Sequence, residues 1–190
     1  MVRNYSDDPV AEDVLARIAE AGLRGPSAGF SQGMAVVVVT DHATRLGIAE
    51  LAGENEYVAH GFDPWISRAP AHIVLCVSEA AYHRRYQEPD KLDEDGKEIE
   101  WPIPYWWVDA GAAMMAVLLA AVDEGLAAGF LGVHSMPGLR SLLEIPGDFT
   151  PIGIVTIGRG LEDRPSGSLQ RGWRPTSDVI HWQRWRQATG

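Results

Sequence analysis

The residues best placed for chemistry share one short loop, Gly25-Pro26-Ser27-Ala28-Gly29-Phe30-Ser31-Gln32-Gly33. Within it, Gly29-Phe30-Ser31-Gln32-Gly33 fits Gly-x-Ser-x-Gly, the spacing that lifts a nucleophilic serine onto a sharp turn in serine hydrolases. Such a turn needs a strand before the serine and a helix after it. Here the order is reversed. Ala11 to Arg24 carries apolar Val14, Leu15, Ile18 and Leu23 at a helical period, and Ala35 to Thr40 is a β-branched run. The six histidines, at 42, 60, 72, 83, 134 and 181, are scattered, and none is marked as a base for Ser31. A loop of small residues between a helix and a buried strand suits another role, since it lets a flat ligand approach the backbone closely. It would also serve as a plain connection, where Gly and Ser are common.

A second group of residues lies at 84–107. Glu88 to Lys97 is charged, with a turn signal at Asp95-Gly96. Trp101-Pro102-Ile103-Pro104-Tyr105-Trp106-Trp107 follows, dense in aromatics. A long irregular segment in a compact chain is usually functional or disordered. These aromatics could contact a substrate or simply cap the adjacent helix. Metal-ligand spacing, a Walker loop and a Gly-x-Gly-x-x-Gly fingerprint are not evident, so no metal is expected.

The elements that must position these groups follow from periodicity. Strands are expected at 35–40, 72–77 and 152–157, with a further one near 179–182. Helices are expected at 11–24, 43–53, 108–126 and 136–143, with Pro137 suiting a first turn. Gly129-Phe130-Leu131-Gly132 reads as a loop. The 108–126 helix is apolar almost all round and should be buried on most faces. With no repeat and no clear linker, residues 1–190 read as one domain.

Composition narrows the function. The formal charge of −10 disfavours nucleic acid, which needs clustered Lys and Arg. The longest apolar run, Ala110 to Val122, is too short to span a bilayer. The N-terminus is polar, with no secretory signal. The single cysteine, Cys76, sits in an apolar strand pattern and has no internal partner. A cytoplasmic protein is expected.

Several motifs occur in a telling order: Val2-Arg3-Asn4-Tyr5, Pro26-Ser27-Ala28-Gly29-x-Ser31-Gln32, the apolar helix from Asp109, Gly129 to Gly132, Leu143-Glu-Ile-Pro146, Pro151 to Gly158, and Arg174-Pro175 before Val179-Ile-His-Trp182. That succession resembles the nitroreductase family of flavin-dependent oxidoreductases, and most of all its actinobacterial members. The resemblance implies an α+β fold, a mixed sheet flanked by helices, and a homodimer with an intertwined C-terminal extension that includes Trp182 and Trp185. It implies FMN at the dimer interface.

The resemblance also assigns residues. Arg3 would reach the flavin N1/O2 edge or the ribityl chain. Pro26, Ser27, Ala28, Gly29 and Gln32 would line the flavin. Leu131, Gly132 and Val133 would pass over the ring, with a backbone N–H donating to N5 or O4, and His134 beside them. Arg174, helped by Arg171, would hold the phosphate. Many members carry Asn where this chain has Phe30. Phe30, Trp101, Tyr105, Trp106 and Trp107 become substrate contacts, with 84–107 as a variable lid. No side chain need act as acid or base, because the flavin carries the chemistry. NADH or NADPH, or the deazaflavin F420, would supply hydride. The acceptor would be a nitroaromatic, a quinone or an activated alkene. Three rival readings are a flavin-storing protein on the same fold, an interaction subunit without cofactor, and the hydrolase using Ser31.

Overall fold

The β-branched runs form the middle of a sheet. The computed structural model describes residues 1–134, 136–164 and 167–185. Strands β1 (Met34–Val39), β2 (Ala71–Val77), β3 (Ala127–Gly132) and β4 (Thr150–Gly158) pair in the order β1-β2-β4-β3. The class is α+β, but all pairings among these strands are antiparallel, not mixed. A register shift between Leu75 and Cys76 falls opposite Pro151, which has no N–H to give the ladder.

Alternating side chains send the sheet's two faces into different cores. On one face, Val74, Cys76 and Ile154 pack under α2 (His42–Leu51), α4 (Trp65–Arg68) and α7 (Leu139–Leu142), through Ile48, Trp65, Ile66 and Leu139. On the other, Ile73, Leu75, Val155 and Ile157 pack under α1 (Glu12–Leu23) and α6 (Tyr105–Asp123), through Leu15, Ile18, Ala113 and Val117. The first face holds the buried polar groups. The Tyr5 hydroxyl donates to the Val2 carbonyl at 2.7 Å and meets Thr156 Oγ1 at 2.8 Å. Glu54 accepts from the Ile66 and Ser67 N–H groups and caps α4. The His72 ring meets the Ile66 carbonyl at 2.8 Å, and burial pulls its pKa down to about 4.

Several sequence expectations change. The 129–132 segment is not a loop but the end of edge strand β3. It pairs only with β4, while Val2 N–H donates to Ala128 along its outer side. No strand forms at 179–182; the chain there follows two short 3-10 turns, at Gly167–Arg171 and Thr176–Asp178. The 136–143 helix shrinks to α7. Three short helices were not expected: α3 (Glu54–Ala59), α4 and α5 (Glu79–Tyr86).

Helix α6 starts at Tyr105, three residues earlier than periodicity suggested, and Pro104 stands at its N-cap. By length and composition alone it would pass as a membrane span. Its Trp106, Ala110, Ala113, Val117 and Ala121 face is buried within the chain. Its opposite face is not, contrary to expectation. Val108, Met115, Leu119 and Val122 remain exposed, the last two at 63% and 64%. Their spacing of seven, four and three residues makes one stripe.

Candidate functional site

The 25–33 loop is held by side chains from α5 and α6. Gly33 lies against α5: a Cβ there would fall 2.5 Å from the Tyr82 ring and 2.9 Å from the Ser78 carbonyl. Gly29 has φ of 61°, and a Cβ there would fall 2.6 Å from the Tyr86 ring. These are close approaches that only glycine permits. Phe30 and Gln32 also take positive φ, at 58° and 50°. Non-glycine residues in that region store strain, and such strain clusters at functional sites.

Two hydrogen bonds fix the loop from outside, and a third braces the carboxylate that makes one of them. Ala28 N–H donates to Asp109 Oδ2 at 2.8 Å. The Tyr82 hydroxyl donates to the same oxygen at 2.8 Å. Arg85 Nε donates to the Gly29 carbonyl at 2.9 Å. Burial first, then the hydrogen bond and charge of Asp109, raises the Tyr82 pKa well above its usual value, so Tyr82 stays a donor. Within the loop, Gln32 N–H donates to Ser27 Oγ at 3.0 Å, and Ser31 Oγ donates to the Ala28 carbonyl at 2.6 Å. Ser31 is thus occupied by a local turn. One ring nitrogen each of His60, His72 and His83 is engaged away from Ser31. This arrangement gives the hydrolase reading no support.

The same helix α5 also anchors the segment after it, which the sequence reading expected to be a lid. Glu98 accepts from Trp101 Nε1 at 2.7 Å and Gln87 Nε2 at 3.0 Å, and meets His83 Nδ1 at 2.5 Å. Arg85 makes a two-pronged pair with Asp90, each contact 2.7 Å. That pairing draws the Asp90 pKa down to about 2. Trp101 packs edge-on against Tyr86, with centroids 4.5 Å apart, and lies 5.5 Å from Trp106.

Three cavities surround the first turns of α6. One of about 480 Å³ lies between the loop and the helix, lined by Pro26, Ser27, Phe30, Gln32 and Asp109. One of about 590 Å³ has Trp107, Val133, His134 and Ile152 in its wall. One of about 380 Å³ lies under the lid, with Ala28, Tyr86, Trp101 and Tyr105. Alternate positions of one helical end therefore face three spaces. Trp106 lines none of these; it is buried against Tyr82 and Ala110.

The cations expected at a cofactor stand apart from this cluster. Arg3 lies 5.9 Å from the Trp65 ring, on the other core, and its N–H donates to Asp163 at 2.8 Å. Arg171 and Arg174 are exposed, and among the described residues Arg174 Nη2 reaches the Asp178 carbonyl, at 3.4 Å. Asp109, Tyr82 and Arg85 escaped the sequence reading. Asp109 did leave a signal: it is the one charge ahead of the last residue of an apolar helix, and such a group must find donors. Tyr82 and Arg85 left none, because their roles depend on where α5 docks.

FMN needs a flat slot, polar groups along one edge and cations for its phosphate. The glycine-lined loop, with cavities on two sides, would offer such a slot. Ser27 and Gln32 supply polar groups, and Arg3, Arg171 and Arg174 are cations free of strong ion pairing among the described residues. The residues present fit the group.

Residues 1–159 match the model of the Nitroreductase family. The chain belongs to the nitroreductase family. A Bacillus subtilis protein named FMN reductase [NAD(P)H] is 32% identical over 162 residues; these are 83% of this chain and 61% of that protein. An Archaeoglobus fulgidus protein, whose name includes NAD(P)H nitroreductase, is 27% identical over 97% of this nitroreductase-family chain and 92% of its own length. A solved nitroreductase family protein from Streptococcus pneumoniae superposes with a TM-score of 0.72 at 21% identity, covering 95% of this chain and 94% of that one. The last similarity speaks for the fold.

Proposed function

We propose that this chain is an NAD(P)H-dependent flavin oxidoreductase of nitroreductase type that holds FMN and reduces small planar acceptors. The observation that carries this is the family match over residues 1–159, whose span includes the strained glycine loop and the cavities around it. Bound FMN would take hydride from NADH or NADPH and hand it to a nitroaromatic, a quinone or an activated alkene.

The chain's own residues would bind and orient. The Pro26–Gln32 loop would take the ring at its glycine side, with Ser27 and Gln32 offering hydrogen bonds. Backbone groups of Leu131, Gly132 and Val133 lie at the end of an edge strand, where no further ladder claims that side. Arg3 would offset negative charge on the pyrimidine edge, and Arg171 and Arg174 would hold the phosphate. Phe30, Trp107 and the lid, 84–107, would exclude water and seat the acceptor.

Arg3 and the C-terminal arginines stand apart from the loop within one chain. A homodimer resolves this if the second copy brings its cations to the loop of the first. The apolar stripe of α6 and the exposed Trp173, Trp182 and Trp185 favour that assembly. The single buried Cys76 thiol, pushed up to about 11 by burial, is an inert core group and suits a cytoplasmic setting.

The test is the visible spectrum of the purified protein after adding FMN and desalting. A retained flavin spectrum bleached anaerobically by NADH or NADPH supports the reading. A retained spectrum that neither donor bleaches, nor a deazaflavin donor, marks a storage protein. A protein that refuses FMN sinks the assignment.

A further inference from the structure

The cavity under the lid is walled by ring faces and aliphatic carbons. Tyr86, Trp101, Ile103 and Tyr105 supply most of it, and Ala28 joins it to the loop. Its shape is fixed by polar ties behind the walls. Trp101 cannot turn without breaking its bond to Glu98, and Tyr86 is pinned between the Trp101 edge and Gly29.

Glu100 is the one charged side chain in the lining. Nearby charges differ from it. Glu98 is saturated by Trp101, Gln87 and His83, and the Arg85 guanidinium is matched by Asp90 and Glu88. Glu100 is exposed and has no hydrogen bond or ion pair among the described residues. Lys91 is the nearby cation to weigh against it. Its Nζ lies 5.6 Å from the Tyr86 centroid, outside the lining. That contact also shows that the Tyr86 ring accepts a cation on its face.

Aromatic faces carry negative potential and attract cations, and a carboxylate adds to that field. We propose that this cavity seats the acceptor and that Glu100 selects it by charge: flat aromatic compounds that are positively charged bind best, neutral ones next, and carboxylate-bearing ones worst. Calling the occupant the acceptor rests on the flavin reading above; the order of binding does not.

The experiment uses three nitrobenzenes that share one benzylic carbon and differ in charge: 4-nitrobenzylammonium, 4-nitrobenzyl alcohol and 4-nitrophenylacetate. Each is titrated calorimetrically into the oxidised protein with no reductant present, so binding is read without turnover. The cation should bind about ten-fold more tightly than the anion at low salt, a spread that shrinks as salt screens it. Glu100→Gln should weaken the cation, tighten the anion and narrow the spread to about two-fold. Equal binding of cation and anion, a preference for the anion, or a spread unchanged in Glu100→Gln overturns the proposal. A protein that carries FMN but shows no charge order loses this proposal and keeps the flavin reading. A protein that shows the order but refuses FMN keeps the cavity's selectivity and loses the flavin reading.

Discussion

The loop at 25–33 is held from outside itself, whereas the backbone hydrogen bonds seen among the described residues of 167–185 close within that stretch. The loop has Asp109, Tyr82 and Arg85 gripping its backbone or one another, and two glycines wedged against tyrosine rings. The C-terminal stretch closes its backbone hydrogen bonds between near neighbours, such as Gly172 to Leu169 and Ile180 to Thr176, and leaves Trp173 93% exposed. Regions held by few long-range contacts open at little free-energy cost. A site drawing on both is therefore half built in one chain and half dependent on what that chain meets.

The strongest way to break this contrast is to disturb the loop's packing. Gly33→Val should destabilise the fold by about 3 kcal/mol, because backbone at Ser78 and the Tyr82 ring cannot both give way. Chemical denaturation would read it, and a loss under about 1 kcal/mol would show that α5 yields freely. Next in size is acid. His72 folds with a depressed pKa of about 4 against an ordinary 6.5, so between those values the unfolded chain binds the extra proton. Its stabilising share is therefore present above pH 6.5 and lost as pH falls to 4, at roughly 3 kcal/mol in full. The lid moves oppositely. His83 has its pKa raised by Glu98, so their contact is intact below the unfolded value and loosens as pH rises through the folded one. Denaturation midpoints and Trp101 fluorescence against pH would separate the two, and parallel responses would contradict both.

Asp109→Ala should cost about 1–3 kcal/mol, since it strands the Ala28 N–H and the Tyr82 hydroxyl. It should also weaken FMN retention, measured by flavin fluorescence titration; unchanged stability and affinity would show that the loop needs no such anchor. The smallest effect on the fold should come at the other pole. Arg174→Ala should leave stability within about 0.5 kcal/mol yet release FMN. Retained FMN would remove Arg174 from the site.

Strands β1, β2 and β4 were legible because Val and Ile runs have few other options. Strand β3 was not, because Ala127-Ala-Gly-Phe-Leu-Gly132 has weak strand preference and pairs only because β4 lies beside it. The glycine loop could be found from its small residues, but the carboxylate that holds it could not be paired to it from 81 positions away in the sequence. Helix α6 was legible as apolar, and its exposed stripe was not, since composition does not say which apolar face finds a neighbour.

One guanidinium, that of Arg85, touches both the loop carbonyl of Gly29 and the lid carboxylate of Asp90. Ordering that side chain is a single loss of freedom shared by two segments. Each segment is then easier to order once the other is in place, and by thermodynamic reciprocity the help is equal in both directions. A segment of different sequence grafted between residues 87 and 104 would thus inherit an obligation: without a carboxylate where Asp90 stands, it would loosen the loop on the far side of that guanidinium.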